Sequence, residues 1–183
     1  MRRPLAATSA LRPALLLVLL LALAGCTVYV RDGEAYVRTS VRGTITFGVP
    51  LHNVITLFEP TRGQGAGYRI GDRISFNVRT DRDGYLTLTS IDEDGFVHTF
   101  ARNIFIRGGR TVTLDGPDSR HVFSVEPPRG VVRVRASFSS GRTDTTRVRY
   151  TGQRGEDAWT QRISVDLAPH DVRDVVETWI RVR

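Results

Sequence analysis

One cysteine, Cys26, stands among 183 residues, so the chain has no pair to oxidise and must draw its stability from packing. Lysine is absent. All 26 basic residues are arginine, whose planar fork suits bidentate contact with carboxylates and phosphates. After residue 25 no apolar run approaches the roughly 20 residues that a membrane-spanning helix needs, so the remainder reads as a soluble domain. There is no Gly-x-Ser-x-Gly elbow and no His-Glu-x-x-His pair, which leaves hydrolase chemistry without a constellation and selects no triad. No βαβ rhythm and no internal repeat appear, which sets aside a doubly wound sheet and a solenoid.

What is present begins with Arg2, Arg3 and Arg12, an uninterrupted apolar run from Ala14 to Ala24, and then Leu23-Ala24-Gly25-Cys26. A positive start, a short apolar stretch and small residues at a cut are the parts of a secretory signal. The last four residues resemble the lipobox of bacterial lipoprotein signals. That resemblance implies removal of residues 1–25, acylation of Cys26 on sulfur, and no free thiol thereafter. It further implies a protein tethered to the cell envelope, since two or three acyl chains hold firmly where one does not. Thr27 follows the cysteine, and the aspartate that retains many lipoproteins at an inner membrane is missing there. The expected location is therefore the outer membrane or the cell surface.

The 158 residues that remain (183 minus 25) suffice for one core. Arg2, Arg3 and Arg12 leave with the signal, so the formal charge falls from +7 to +4. A sequence pI near 10.6 points first to nucleic acid, but export argues against it. Envelope or surface-layer proteins and anionic glycans are the available partners.

Residues 26–50 read as a lipid-anchored tether with short strands, ended by Pro50. Residues 51–183 read as the β domain. Ile74, Phe76 and Val78 alternate with polar neighbours, as do Val132, Val134, Ala136 and Phe138, and later Ile163, Val165 and Leu167. Further strands are expected at 85–91, 96–100, 111–114, 121–125 and 147–150. Asp83-Gly84, Asp94-Gly95, Gly108-Gly109 and Gly141 supply the turns. The expected fold class is all-β, mainly an antiparallel β-sandwich, Ig-like or barrel-like. Residues 171–183 admit two readings. One is a helix capped by Asp171 with Val172, Val175, Val176, Trp179 and Ile180 on one face; the other is a last strand.

Tyr68-Arg69-Ile70-Gly71-Asp72-Arg73-Ile74-Ser75-Phe76, Asp83-Gly84-Tyr85-Leu86-Thr87-Leu88, Ile91-Asp92-Glu93-Asp94-Gly95 and Phe123-Ser124-Val125-Glu126-Pro127-Pro128-Arg129-Gly130 together resemble a bacterial domain-of-unknown-function family (4384-type) over about residues 55–140. Its members occur in envelope lipoproteins and as appendages of larger proteins. The resemblance implies a β-rich accessory or binding module and carries over no catalytic residues.

Four candidate sites remain. Asp81-Arg82-Asp83-Gly84 and Asp92-Glu93-Asp94-Gly95 place alternate carboxylates before glycine, but neither register completes a calcium loop, and the turn reading prevails. Gly63-Gln64-Gly65-Ala66-Gly67 does not match a phosphate-binding pattern and reads as a loop. His98 shares an expected face with Phe96 and Phe100, and His121 with Phe123 and Val125. Imidazoles on neighbouring strands suit copper or zinc, so a copper-dependent surface antioxidant, akin to superoxide dismutases, is the enzyme alternative. Finally, a hairpin of 131–138 with 147–150 would set Arg133, Arg135, Arg147 and Arg149 on one outward face, a basic stripe for an anionic polymer or a solvated sheet face. The overall expectation is a noncatalytic structural or interaction module of the envelope, with no cofactor.

Overall fold

A computed structural model describes residues 30–31, 34–40, 43–116, 122–145, 150 and 152–183. Its elements run β1 (Val30–Arg31), β2 (Glu34–Ser40), β3 (Gly43–Leu51), β4 (Ile55–Pro60), β5 (Gly67–Tyr68), β6 (Phe76–Thr80), β7 (Gly84–Ile91), β8 (Val97–Ile106), β9 (Thr111–Leu114), β10 (Gly130–Ser139), α1 (Glu156–Leu167) and β11 (Arg173–Val182). The expectation of a mainly antiparallel β body is borne out, without closure into a barrel. Five strands form the central sheet in the order β5-β11-β10-β7-β8; β4-β6-β9 and β1-β2-β3 form two smaller ones. Every pairing is antiparallel except that of β5 with β11.

Successive side chains of a strand point to opposite faces, so each face of the central sheet can be read from β10 and its neighbours. Val132, Val134, Ala136 and Phe138 lie opposite Ile180, Thr178, Val176 and Asp174 of β11. With Leu86 and Leu88 of β7 they meet Phe58 of β4 and Phe76 and Val78 of β6 in the larger apolar core. The other face carries Arg133, Arg135, Ser137 and Ser139, and it is buried too. Over it lie α1 and β3. Trp159, Ile163 and Leu167, spaced four apart and so on one helical face, pack with Phe47, Val49 and Leu51 and with Ile91, Val97 and Val175 in a second core. The layers are therefore helix with β3, central sheet, and β4-β6-β9.

This arrangement corrects one expectation, decides between two readings of another segment, and sets Pro50 within a strand. Residues 156–167 are helix rather than the strand read through Ile163, Val165 and Leu167, and Val165 is half-exposed at 50%. Residues 173–182 take the strand alternative, because β11 fills the slot between β10 and β5. The tether boundary at Pro50 falls inside β3, whose Phe47, Val49 and Leu51 belong to the second core. The helix starts with Glu156 and Asp157 in its first turn, where carboxylates suit the positive end of the helix dipole. It stops before Pro169, and the Arg173 guanidinium donates to the carbonyls of Ala168 (3.2 Å), His170 and Pro50 (2.9 Å). One residue later, the buried Asp174 carboxylate accepts from the backbone N–H groups of Val54 (2.9 Å) and Ile55 (2.8 Å), which ties β11 to the start of β4.

Candidate functional site

Two of the four arginines expected on an outward stripe, Arg133 and Arg135, sit inside the protein. Arg135 is 0% and Arg133 2% exposed, beneath α1. A charge cannot be left in that position without partners. Arg135 Nε donates to Glu177 Oε2 at 2.9 Å and one terminal nitrogen to Thr160 Oγ1 at 2.9 Å, while the other meets Glu156. Its guanidinium carbon lies 3.8 Å from the centre of a Trp159 ring. Arg133 meets Glu156 and lies 3.5 Å from Glu177. Burial pushes the Arg135 guanidinium down from its ordinary range, and the Glu156 and Glu177 carboxylates act against that. Burial alone would raise the Glu156 carboxyl; the hydrogen bond from Arg133 and the charges of Arg135 and Arg133 prevail and hold it below its usual range. Both flanks of β10 are taken, by β7 and β11, so the hairpin with 147–150 does not form. Arg147 and Arg149 lie outside the described residues. What was read as a basic surface is an internal charge network that fastens the helix to the sheet.

A second network holds Thr143 and Tyr150 near Arg102 and Asn103 of β8. The Arg102 guanidinium donates to both oxygens of Asp166 at 2.8 and 3.1 Å, and the Tyr150 hydroxyl donates to the same carboxylate at 3.2 Å. Burial, and then the Asp166 charge, push the Tyr150 hydroxyl well above its ordinary range. Asn103 and Thr143 exchange bonds: the Asn103 amide donates to the Thr143 carbonyl at 3.0 Å, and the Thr143 N–H donates to Asn103 Oδ1 at 2.7 Å. Asn103 adopts φ 54°, a left-handed backbone that asparagine tolerates better than most residues.

The concave site lies between the central sheet and the 122–127 segment, which makes an antiparallel bridge to Arg73 through Ser124. That segment is pinned on one side through Gly71 N–H to the Val125 carbonyl (2.8 Å), Val125 N–H to the Asp72 carbonyl (2.9 Å) and Ile74 N–H to the Phe123 carbonyl (3.1 Å). Its other side lines a cleft of about 400 Å³. Such a volume suits a small ligand. Its apolar lining is Phe76 and Phe123 on one side and Phe100, Val132, Val134 and Ile180 of the central sheet on the other. Phe100 and Phe123 meet edge to face, with ring centroids 5.1 Å apart. At the rim the β7–β8 turn presents Asp92, 8% exposed, whose Oδ1 accepts from the Phe96 N–H at 2.8 Å and whose Oδ2 lies 2.9 Å from His98 Nε2.

Each remaining sequence candidate can now be placed. His98 lines the cleft with Phe100, but Phe96 turns away, with the Arg154 guanidinium 4.5 Å from its ring centre. His121 and Cys26 lie outside the described residues. His52 Nδ1 lies 3.2 Å from the Arg173 carbonyl, and His170 stands beside Gly141. Among the described residues no three metal-ligating side chains gather, and the copper reading gains no ligand set. Asp92-Glu93-Asp94-Gly95 is the β7–β8 turn, and Asp83 accepts from the Gly108 N–H at 2.8 Å beside the start of β7. The glycine loop packs on β11: at Gly65, φ 78°, a Cβ would stand 2.7 Å from the Trp179 ring. Sequence reasoning passed over Asp92 as a cleft residue and Glu156 and Glu177 as arginine partners.

The fold thus defines a β-sandwich-like domain whose central sheet is backed by one helix and hollowed at one end. Residues 67–142 match the model of the family described as Domain of unknown function (DUF4384), and the chain carries a domain of that type. No curated protein and no solved structure matches the chain. The matched span runs from β5 to the end of β10 and so contains the cleft wall from Phe76 to Val134. Glu156, Glu177 and the helix lie beyond it.

Proposed function

We propose that the protein is exported, acylated on Cys26 and held at the cell envelope as a noncatalytic structural or interaction module. The observation that carries the reading is Leu23-Ala24-Gly25-Cys26 closing the apolar run from Ala14 to Ala24. The treatment of charge in the body agrees with it. Glu156, Glu177, Asp166 and Asp174 each hold two elements of the fold together, as a scaffold requires. Envelope or surface-layer proteins are the proposed partners. The stripe no longer speaks for anionic glycans through Arg133 and Arg135, which are buried and paired. The test is metabolic labelling of bacteria expressing the full chain with an alkyne-bearing palmitate, followed by fractionation. The label should enter the protein and the membrane fraction, and Cys26→Ser should abolish both. A product that keeps residues 1–25 and stays in the cytosol overturns the reading.

A further inference from the structure

The charge around the cleft is the reverse of the charge of the chain. Twenty-six arginines give the sequence a formal net charge of +7. Yet among the described residues the cleft is lined by the carboxylates of Asp92 and Glu126 and by no arginine. Asp92 is held in place rather than neutralised by an ion pair with arginine: its two oxygens take a backbone N–H and the imidazole of His98, and each oxygen keeps a further lone pair. Behind this rim stand Phe76, Phe100 and Phe123, whose ring faces carry negative quadrupole density that attracts organic cations.

We infer that this cleft binds a small organic cation with an apolar body, of the arylalkyl-ammonium class, its ammonium at Asp92 and Glu126 and its body among the phenylalanines. Charge complementarity selects this occupant over an acyl carboxylate, which would bring a like charge to the carboxylates and find no guanidinium among the described lining residues. A cavity of about 400 Å³ with three phenylalanines in its lining holds a body of one ring and a short chain. The inference concerns the body alone and is independent of acylation or location.

The experiment is calorimetric titration of the purified protein with three probes of one shape: phenylbutylammonium, phenylbutanol and phenylbutanoate. The ammonium should bind at least about tenfold tighter than the alcohol, because opposite charges a few ångströms apart at a half-buried site attract by more than that ratio requires. The carboxylate should bind weakest. Asp92→Asn, which keeps an oxygen for the Phe96 N–H, combined with Glu126→Gln at the exposed rim, should erase the preference for ammonium and leave the affinity for the alcohol unchanged. Equal binding of the three probes, a preference for the carboxylate, or no heat from the ammonium at millimolar concentration overturns the inference. The ranking in the unaltered protein decides the matter even if the double variant fails to fold.

Discussion

Replacing Arg135 by methionine should cost far more than replacing an arginine at the surface, and the structure gives the size of the difference. Arg135 is 0% exposed, and its partner Glu177 has a side chain only 4% exposed. Removing the guanidinium takes the nearest cation from that carboxylate in a medium that solvates it poorly, and leaves it the more distant Arg133 at 3.5 Å. It also strips Thr160 Oγ1 of its donor and uncovers the Trp159 ring. Breaking a buried pair from one side costs about 3–5 kcal/mol. With a urea slope of about 2 kcal/mol per molar, the unfolding midpoint should fall by about 1.5–2.5 M. Arg62→Met is the control: Arg62 meets Asp72 at 3.3 Å with both side chains open to water, and the loss should stay below about 1 kcal/mol. Arg135→Met with Glu177→Met should recover most of the loss, since no buried charge is then left alone and Glu156 keeps Arg133. A single variant losing less than about 1 kcal/mol, or a double variant no better than the single, refutes the reasoning.

Two further outcomes follow from the same physics. The Glu156 carboxyl is held below its ordinary value of 4.5, so its ionised form stabilises the folded state above that pH, and the contribution is lost as pH falls through the depressed value; urea midpoints of the unaltered protein should drop on acidification below about pH 4.5, and the Glu156→Gln profile should be flatter there. Gly84→Ala should destabilise by about 1–3 kcal/mol, because its Cβ would stand 2.2 Å from the Phe138 ring and 2.8 Å from the Ser139 carbonyl; thermal unfolding measures it.

The strands were legible wherever one face was plainly apolar. Residues 85–91 and 111–114 agree with β7 and β9 to within a residue, and the alternation from Val132 to Phe138 marks β10. Where both faces of a strand are buried, alternation misleads. Arg133 and Arg135 looked solvated because charge at period two ordinarily faces water, and the partners of Arg135 lie 21 and 42 residues further on in contacts that no local window contains. The helix was hidden by Val165, which supplied a false period of two. Trp159, Ile163 and Leu167 at four-residue spacing, behind Glu156 and Asp157, were the signal available. The cleft was illegible for a related reason: Asp92, Glu126, Phe100 and Val134 come from four segments, and only strand pairing brings them around one space.

Strand β11 lies between β10 and β5, and it follows every other element in order of synthesis. A nascent chain that has not yet reached residue 173 therefore displays the ten-residue flank of β10 with its amide groups unsatisfied, a template for adhesion to other chains. The same delay leaves Arg135 without Glu177. A chain cut short within β11 should therefore be a sticky fragment instead of a smaller working domain.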